Sequence, residues 1–197
     1  MELRTICVFC GSRPGSRPDF IAAAKELGNE LARRKLTLMY GGASVGLMGT
    51  LADTVLAGGG RAVGVLPFTL QEREIGHQGL HELHLVNSMH ERKALMAKRA
   101  DAFIAMPGGF GTFDELFEII TWGQLGLHQK PIGLLDVNGY FQSLMAMVRR
   151  GVEDGFIPEA HAQPFAVSDS ASKLLDRLLT GPTMTATEKW IRRSEET

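Results

Sequence analysis

Residues 106–115 read Met-Pro-Gly-Gly-Phe-Gly-Thr-Phe-Asp-Glu and separate a short apolar segment from a segment with helical spacing. The apolar segment is Ala102–Ala105, and the helical segment continues from Leu116 to Trp122. This order predicts a β-strand, a glycine turn and the N-terminus of an α-helix. Three glycines in four positions leave the backbone bare, so a ligand can approach successive N–H groups. Those groups and the positive end of the helix dipole favour an anion, most simply a phosphate.

The same alternation extends along the chain. Strands are predicted at Thr5–Cys10, Leu36–Tyr40, Ala62–Leu66, Leu83–Val86, Ala102–Met106, Ile132–Leu135 and Phe165–Val167. Helices are predicted at Asp19–Arg34, Gly46–Ala57, Met89–Arg99, Thr112–Leu125, Tyr140–Glu153 and Ala171–Leu179, and a loop at Pro67–Gly79. Several strands are apolar on both faces, which is typical of a parallel sheet covered by helices on both sides. The predicted fold class is therefore α/β, with a single Rossmann-like domain over residues 1–182 and a polar tail over 183–197.

Glycine turns follow three of the predicted strands. They are Gly11-Ser12, Gly41-Gly42-Ala43-Ser44 and the turn of residues 108–111. Because parallel strands end at the same edge of their sheet, and ligands bind beyond that edge, these turns predict one binding crevice.

Composition excludes several partners. The chain has 197 residues, 44% of them hydrophobic, and a formal net charge of −1. This balance gives no positive surface for a nucleic acid, and no apolar run is long enough to span a bilayer. The N-terminal residues lack a signal-peptide pattern, so the predicted location is the cytoplasm.

The two cysteines, Cys7 and Cys10, fall within a predicted buried strand and not at a helix start, where a redox pair belongs. We therefore predict inert, buried thiols. His81 and His84 have no further ligands at zinc spacing, so no metal site and no cofactor are predicted.

Glu115 has two interpretations. Thr112 and Glu115 match the capping box T-x-x-E, in which the carboxylate merely binds the helix start. Alternatively, the carboxylate points into the anion site and has a chemical task. The apolar residues around it, Phe113, Leu116, Phe117 and Ile120, are predicted to lie in the core.

A second capping box, Ser88 and Glu91, predicts the start of another helix. Arg92 and Lys93 then lie in its first turns, where the helix dipole disfavours cations. This placement indicates a nearby anion, either a substrate phosphate, a carboxylate such as Glu115, or both. The alternative is a solvated pair on the helix surface.

Dinucleotide binding is disfavoured. Gly109-Phe110-Gly111 supplies G-x-G, but Asp114 occupies the position of the third glycine, although Asp136 stands where a ribose-binding acid is expected. No glycine turn is followed by the Lys-Ser/Thr of a Walker loop.

Taken together, these motifs resemble those of the LOG (Lonely Guy) family of cytokinin riboside 5′-monophosphate phosphoribohydrolases. Residues 107–115 match its PGGxGTxxE motif, and Met89–Lys93 resembles its MHxRK motif. The resemblance continues through residues 41–49, Glu74-Ile75 and residues 121–126, and covers about residues 6–157. Relatives that carry molybdenum cofactor share the glycine motif, so a non-catalytic nucleotide or cofactor carrier is the alternative.

The resemblance implies hydrolysis of the N-glycosidic bond of cytokinin nucleotides, and of AMP, to a free base and ribose 5-phosphate. It implies that Arg92 and Glu115 are catalytic. It implies substrate binding by Glu74, Arg92, Lys93, Gly108, Gly109, Phe110, Gly111, Thr112, Phe113, Asp114, Glu115 and Thr121. It also implies a homodimer whose active site lies near the subunit interface. Ile75-Gly76-His77 departs from the plant members, which bears on base selectivity.

Overall fold

The computed structural model describes residues 3–71 and 76–180, which form one seven-stranded sheet. Every neighbouring pair of strands is parallel, and the strand order is β4-β3-β2-β1-β5-β6-β7. The strands are β1 (Thr5–Phe9), β2 (Thr37–Tyr40), β3 (Ala62–Pro67), β4 (Glu82–Val86), β5 (Ala102–Ala105), β6 (Ile132–Leu135) and β7 (Ala166–Ser168). This topology confirms the predicted Rossmann-like α/β fold.

Helices connect the strands. They are α1 (Pro18–Arg33), α2 (Gly46–Ala57), α3 (Phe68–Gln71), α4 (Met89–Arg99), α5 (Phe110–Gln124), α6 (Gln142–Glu153) and α7 (Ala171–Thr180). Short 3₁₀ turns lie at Val137–Gly139 and Glu159–His161. Within the described ranges no helix is long and apolar enough to cross a membrane.

The predicted strands agree with the observed ones to within one residue at each end. Three predictions were wrong in detail. The segment predicted as a loop contains the short helix α3, α5 begins at Phe110 instead of Thr112, and α6 begins at Gln142 instead of Tyr140. Before α6 the chain makes a 3₁₀ turn in which Asn138 has a left-handed φ of 54°. The predicted tail and the domain boundary at residue 182 lie outside the described residues, as does Glu74.

Helices cover both faces of the sheet. One core layer contains apolar residues of α1, α2 and α7, such as Leu27, Leu51 and Leu174. The other contains residues of α4, α5 and α6 and their flanks, such as Met96 and Leu116. Successive residues of β1 alternate between the two layers, as the two-residue period of a strand requires.

Both cysteines belong to this core. Cys7 and Cys10 are buried, and neither forms a disulfide. Burial raises the pKa of both thiols, with a further contribution from the negative charge of Glu115. The prediction that both thiols are buried is confirmed.

The strand order reverses between β1 and β5. From β1 the chain adds β2, β3 and β4 on one side, and then returns to place β5 on the other side. In open α/β sheets this switch point is where ligands bind. The turns meet there: the Gly11 N–H donates to the Pro107 carbonyl over 3.1 Å, and the Leu47 N–H donates to the Gly11 carbonyl over 3.1 Å. The glycine turns therefore converge at one edge of the sheet, as predicted.

Candidate functional site

The turn after β5 leads directly into α5. Gly109 is the N-cap of this helix, and the Phe113 N–H makes a helical hydrogen bond of 3.1 Å to the Gly109 carbonyl. The N–H groups that precede Phe113 in the first turn of α5 have no helical carbonyl to donate to. A glycine at the N-cap also offers no side chain that could accept from them. We call residues 108–112 the glycine cradle. In general, N–H groups at the start of a helix can bind an anion.

The glycines of the cradle serve different purposes. A methyl group on Gly108 would lie 2.1 Å from Thr112 Oγ1 and 2.8 Å from the Gly11 nitrogen, so packing requires this glycine. At Gly109 and Gly111 a methyl group would meet nothing within 4 Å, and neither residue has a positive φ. Packing therefore does not need glycine at these two positions, and the absence of side chains leaves open space beside the start of α5.

Glu115 is not part of a capping box. Thr112 is the third residue of α5 and is buried, and Glu115 lies in the second turn. The carboxylate points inward and pairs with Arg92, with 3.0 Å between Arg92 Nη1 and Glu115 Oε1. Only 9% of the Arg92 side chain and 8% of the Glu115 side chain is exposed. The structure thus contradicts the capping interpretation.

Arg92 joins three elements behind the cradle. Its Nε donates to the Val65 carbonyl at the end of β3 over 3.0 Å, while Nη1 reaches Glu115 on α5. Its Nη2 lies 2.2 Å from the position that a methyl group on Gly41 would take, so the glycine turn after β2 makes room for the guanidinium. The interpretation of Arg92 as a solvated surface residue is wrong, because the nearby anion is Glu115.

Lys93 is held by two carboxylates. Its Nζ lies 3.1 Å from Asp114 Oδ2 and 3.1 Å from Glu118 Oε1. Burial lowers the pKa of Lys93, but these two hydrogen bonds outweigh it and raise the pKa above its ordinary value. Lys93 is therefore a permanent cation beside the start of α5.

The N-terminus of α4 is capped nearly as predicted. The Glu91 N–H donates to Ser88 Oγ over 3.1 Å, which confirms the cap. The Glu91 carboxylate accepts from the Asn87 N–H over 2.8 Å, one residue before the N-cap. This cap fixes the direction in which α4 presents Arg92 and Lys93.

The other predicted residues lie on both faces of α5. Leu116 is buried, and Phe113 and Ile120 pack against the core. Phe117 was predicted to be in the core but is 37% exposed, and Phe110 is 92% exposed. Thr121 is exposed, and its hydroxyl donates to the Phe117 carbonyl over 2.7 Å. Eleven residues separate Thr121 from the first residue of α5, about 16 Å along the axis, so one chain does not bring it to the cradle.

Sequence analysis missed two tyrosines at this edge of the sheet. The Tyr140 hydroxyl donates to the Gly108 carbonyl, and the buried Tyr40 hydroxyl donates to the Ala43 carbonyl over 3.2 Å. Each bond anchors one of the glycine turns. The position of Tyr140 just after β6, among polar turn residues, was the available signal.

Asp136 does not serve as a ribose-binding acid. It is buried and accepts hydrogen bonds from the Phe141 N–H and from Gln142 Nε2, each over 2.7 Å. Across residues 3–71 and 76–180, no cluster of three or more histidine, cysteine or acidic side chains is arranged to hold a metal ion.

Fold and site together define a Rossmann-like α/β protein with a glycine cradle at the switch point of its sheet and a buried arginine–glutamate pair beside it. A family model described as "Possible lysine decarboxylase" matches residues 48–178. The chain is 53% identical over 176 residues to the probable cytokinin riboside 5′-monophosphate phosphoribohydrolase LOG4 of Oryza sativa, covering 89% of this chain and 76% of the relative. It is 49% identical to the corresponding enzyme LOG7 of Arabidopsis thaliana, covering 90% of this chain and 82% of the relative. The chain therefore belongs to the LOG family of this lysine-decarboxylase-like group.

Solved structures show the same fold at much lower identity. The molybdenum cofactor binding protein of Rippkaea orientalis superposes with a TM-score of 0.68 at 20% identity, covering 91% of this chain and 98% of that one. The molybdenum cofactor carrier protein of Chlamydomonas reinhardtii gives a TM-score of 0.68 at 19% identity, covering 91% of this chain and 99% of that one. These likenesses concern the architecture alone.

Proposed function

We propose that this protein hydrolyses the N-glycosidic bond of cytokinin riboside 5′-monophosphates, and of AMP, to free base and ribose 5-phosphate. The observation that carries the proposal is the buried Arg92–Glu115 pair directly behind the glycine cradle. Relatives near 50% identity bear the name of this activity.

The reaction needs a carboxylate close to the ribose. Breaking the bond builds an oxocarbenium-like centre on the sugar and negative charge on the departing purine. In the proposal Glu115 stabilises the cationic centre and orients or deprotonates the attacking water. Its place one turn inside α5 puts it next to a phosphate bound at the start of that helix.

Arg92 has an electrostatic role in this scheme. Its guanidinium does not lose a proton in proteins, so it is a poor general acid. It lies 3.0 Å from the Glu115 carboxylate and presents positive charge toward the substrate anion. Lys93 adds a second fixed cation at the same helix start.

The cradle contributes binding energy remote from the bond that breaks. The first-turn N–H groups of α5 hold the phosphate, and the held phosphate positions the ribose. The reaction is therefore accelerated only for substrates that carry the phosphate. Glu74 is assigned to substrate binding on the resemblance alone, since it lies outside the described residues. The base specificity is assigned to the neighbouring stretch from Ile75 to His77 on the same ground.

Chromatography of the purified protein incubated with isopentenyladenosine monophosphate, AMP and adenosine tests the proposal. We expect free base from the two monophosphates and little from adenosine. Equal turnover of adenosine and AMP would refute the role of the cradle, and no base from any of the three would refute the activity.

Two other functions are weaker. A nucleotide or molybdenum-cofactor carrier would use the same cradle but has no need of a buried ion pair behind it. That carrier would bind ligand tightly without turnover. Lysine decarboxylation by a pyridoxal phosphate aldimine needs an unprotonated lysine amine, whereas Lys93 beside the cradle is held as a cation by Asp114 and Glu118.

We further propose a homodimer formed through the exposed face of α5. Phe110, Asp114, Phe117 and Thr121 recur at helical spacing and are all exposed in the single chain. Two copies of α5 crossing antiparallel at Phe117 make a self-complementary contact. In that arrangement the partner's Thr121 lies opposite Phe113 and Asp114, which would bring it to the cradle of the first subunit.

A further inference from the structure

The chain has two tyrosines, and both donate their hydroxyl hydrogen to a carbonyl of a glycine turn at the ligand-binding edge of the sheet. Tyr40 is buried and bonds within its own turn, three residues away. Tyr140 comes from the turn after β6 and bonds to Gly108, 32 residues earlier in the chain. Only the second bond joins separate elements, and it reaches the cradle itself.

The accepting carbonyl belongs to the peptide unit between Gly108 and Gly109. No described peptide bond is cis, so the Gly109 N–H points opposite to the Gly108 carbonyl. A hydroxyl that holds the carbonyl on the side of Tyr140 therefore directs the Gly109 N–H away from Tyr140. The same bond polarises the peptide and makes that N–H a stronger donor.

On the Gly109 side this peptide has few contacts that hold its orientation. Gly109 is exposed, and a methyl group there would meet nothing within 4 Å, so no side chain packs against it. A glycine turn with such freedom loses entropy when a ligand orders it. A fixed hydroxyl contact reduces that loss before the ligand arrives.

Tyr140 is itself firmly placed. Its ring stacks on Phe113 of α5 with 6.4 Å between centroids, and meets Phe20 of α1 edge-on at 6.0 Å. The turn that carries it is anchored on the other side, where the buried Asp136 accepts the Phe141 N–H. The hydroxyl is thus held against the cradle from both sides.

We propose that Tyr140 is a positioning residue for phosphate recognition: it orients the Gly108–Gly109 peptide so that the Gly109 N–H faces the 5′-phosphate of the substrate. The identity of the substrate in this inference rests on the proposed function, whereas the contact between Tyr140 and the cradle does not. Tyr140 takes no part in breaking the glycosidic bond.

The test is Tyr140→Phe, which keeps the ring packing and removes only the hydroxyl. We expect KM for AMP to rise roughly tenfold with kcat within about threefold, because a contact used in both ground and transition states is weakened. The kcat/KM for adenosine, which lacks the phosphate, is expected to stay unchanged. A general loosening of the site would instead lower kcat/KM equally for AMP and for adenosine, and that result would overturn the proposal.

Asp19→Ala is the matched control. It removes another bond of the same turn, from Asn138 Nδ2 to Asp19 Oδ2 over 2.7 Å, without touching the cradle. We expect its KM for AMP to match that of the wild type, and an equal rise in both variants would overturn the specific role of the hydroxyl.

Calorimetric titration with AMP and with ribose 5-phosphate separates this proposal from the activity. If the wild type binds AMP but releases no base, the proposed function has failed, yet a roughly tenfold loss of AMP affinity in Tyr140→Phe still supports the positioning role. Unchanged affinity for both ligands in that variant would overturn it.

Discussion

Replacing Glu115 by glutamine separates its chemical role from its structural one. The substitution preserves the shape of the side chain and removes a negative charge that lies 3.0 Å from Arg92 Nη1, where both side chains are more than nine-tenths buried. An amide can still accept a hydrogen bond from the guanidinium, but it can neither stabilise an oxocarbenium-like centre as a charge nor accept a proton from water.

The structure sets the expected magnitudes. Removing one partner of a buried ion pair costs about 3–5 kcal/mol, and an amide that keeps a polar contact with the guanidinium should bring the loss to about 1–3 kcal/mol. For a chain of this length each kcal/mol corresponds to roughly 2–4 °C in Tm, so Tm should fall by about 2–12 °C. Loss of a positioned carboxylate should lower kcat for AMP by at least about 100-fold at a temperature where the variant is fully folded.

Glu30→Gln serves as the matched control. Glu30 also pairs with arginines, at 2.7 Å to Arg33 and 2.9 Å to Arg34, but on α1, away from the cradle. We expect this variant to lose stability and keep its activity. Turnover is measured by release of adenine on chromatography, and folding by circular dichroism. Retention of more than about one tenth of wild-type kcat by Glu115→Gln would refute a catalytic carboxylate.

Three further outcomes are expected. Gly111→Ala should fold with a Tm equal to or above the wild type and lose AMP binding, whereas Gly108→Ala should lose both, because only the second methyl group meets other atoms; thermal melts and calorimetry distinguish them. Stability should depend on Glu30 in acid: hydrogen bonding from Arg33, with Arg34, lowers the pKa of Glu30 from 4.5 to about 2, so its contribution is present above pH 4.5 and disappears as the pH falls towards 2. Unfolding followed against pH should therefore show the wild type and Glu30→Gln converging near the acid end of that window, and parallel curves would contradict the assignment. Phe117→Lys should convert a dimer into monomers in analytical ultracentrifugation and reduce turnover, and an unchanged sedimentation coefficient would exclude α5 as the interface.

The fold was largely predictable because its strands are short, apolar on both faces and separated by glycine turns. The switch point followed from the alternation as well, since right-handed crossovers restrict the possible strand orders. The partnership of Arg92 with Glu115 was predictable for a simpler reason. A cation in the first turns of a helix is misplaced unless an anion lies nearby, and Glu115 was the candidate anion.

Other parts of the site depended on contacts that no local pattern contains. The T-x-x-E pattern at Thr112 suggested a helix start, but Gly109 caps α5 three residues before the predicted first residue. Phe117 follows the apolar spacing of α5, yet the sheet receives Leu116 and Ile119, which lie about 100° and about 160° away from Phe117 around the helix. The bond from Tyr140 to Gly108 requires knowing that β5 and β6 are neighbours, and the sequence shows only that they are successive.

The buried ion pair is the feature that separates the possible functions of this fold. The same architecture at 19% and 20% identity belongs to proteins named for carrying or binding molybdenum cofactor, so the architecture does not determine the chemistry. A cradle that only had to hold a phosphate would be as stable, or more stable, with apolar residues in place of Arg92 and Glu115, because a buried pair rarely recovers its loss of hydration. The presence of two charged side chains at this position, in spite of their loss of hydration, therefore indicates a task that needs charge. Stabilising a cationic sugar next to a bound phosphate is such a task, and a double variant with apolar residues at both positions should be stable, bind AMP and release no adenine.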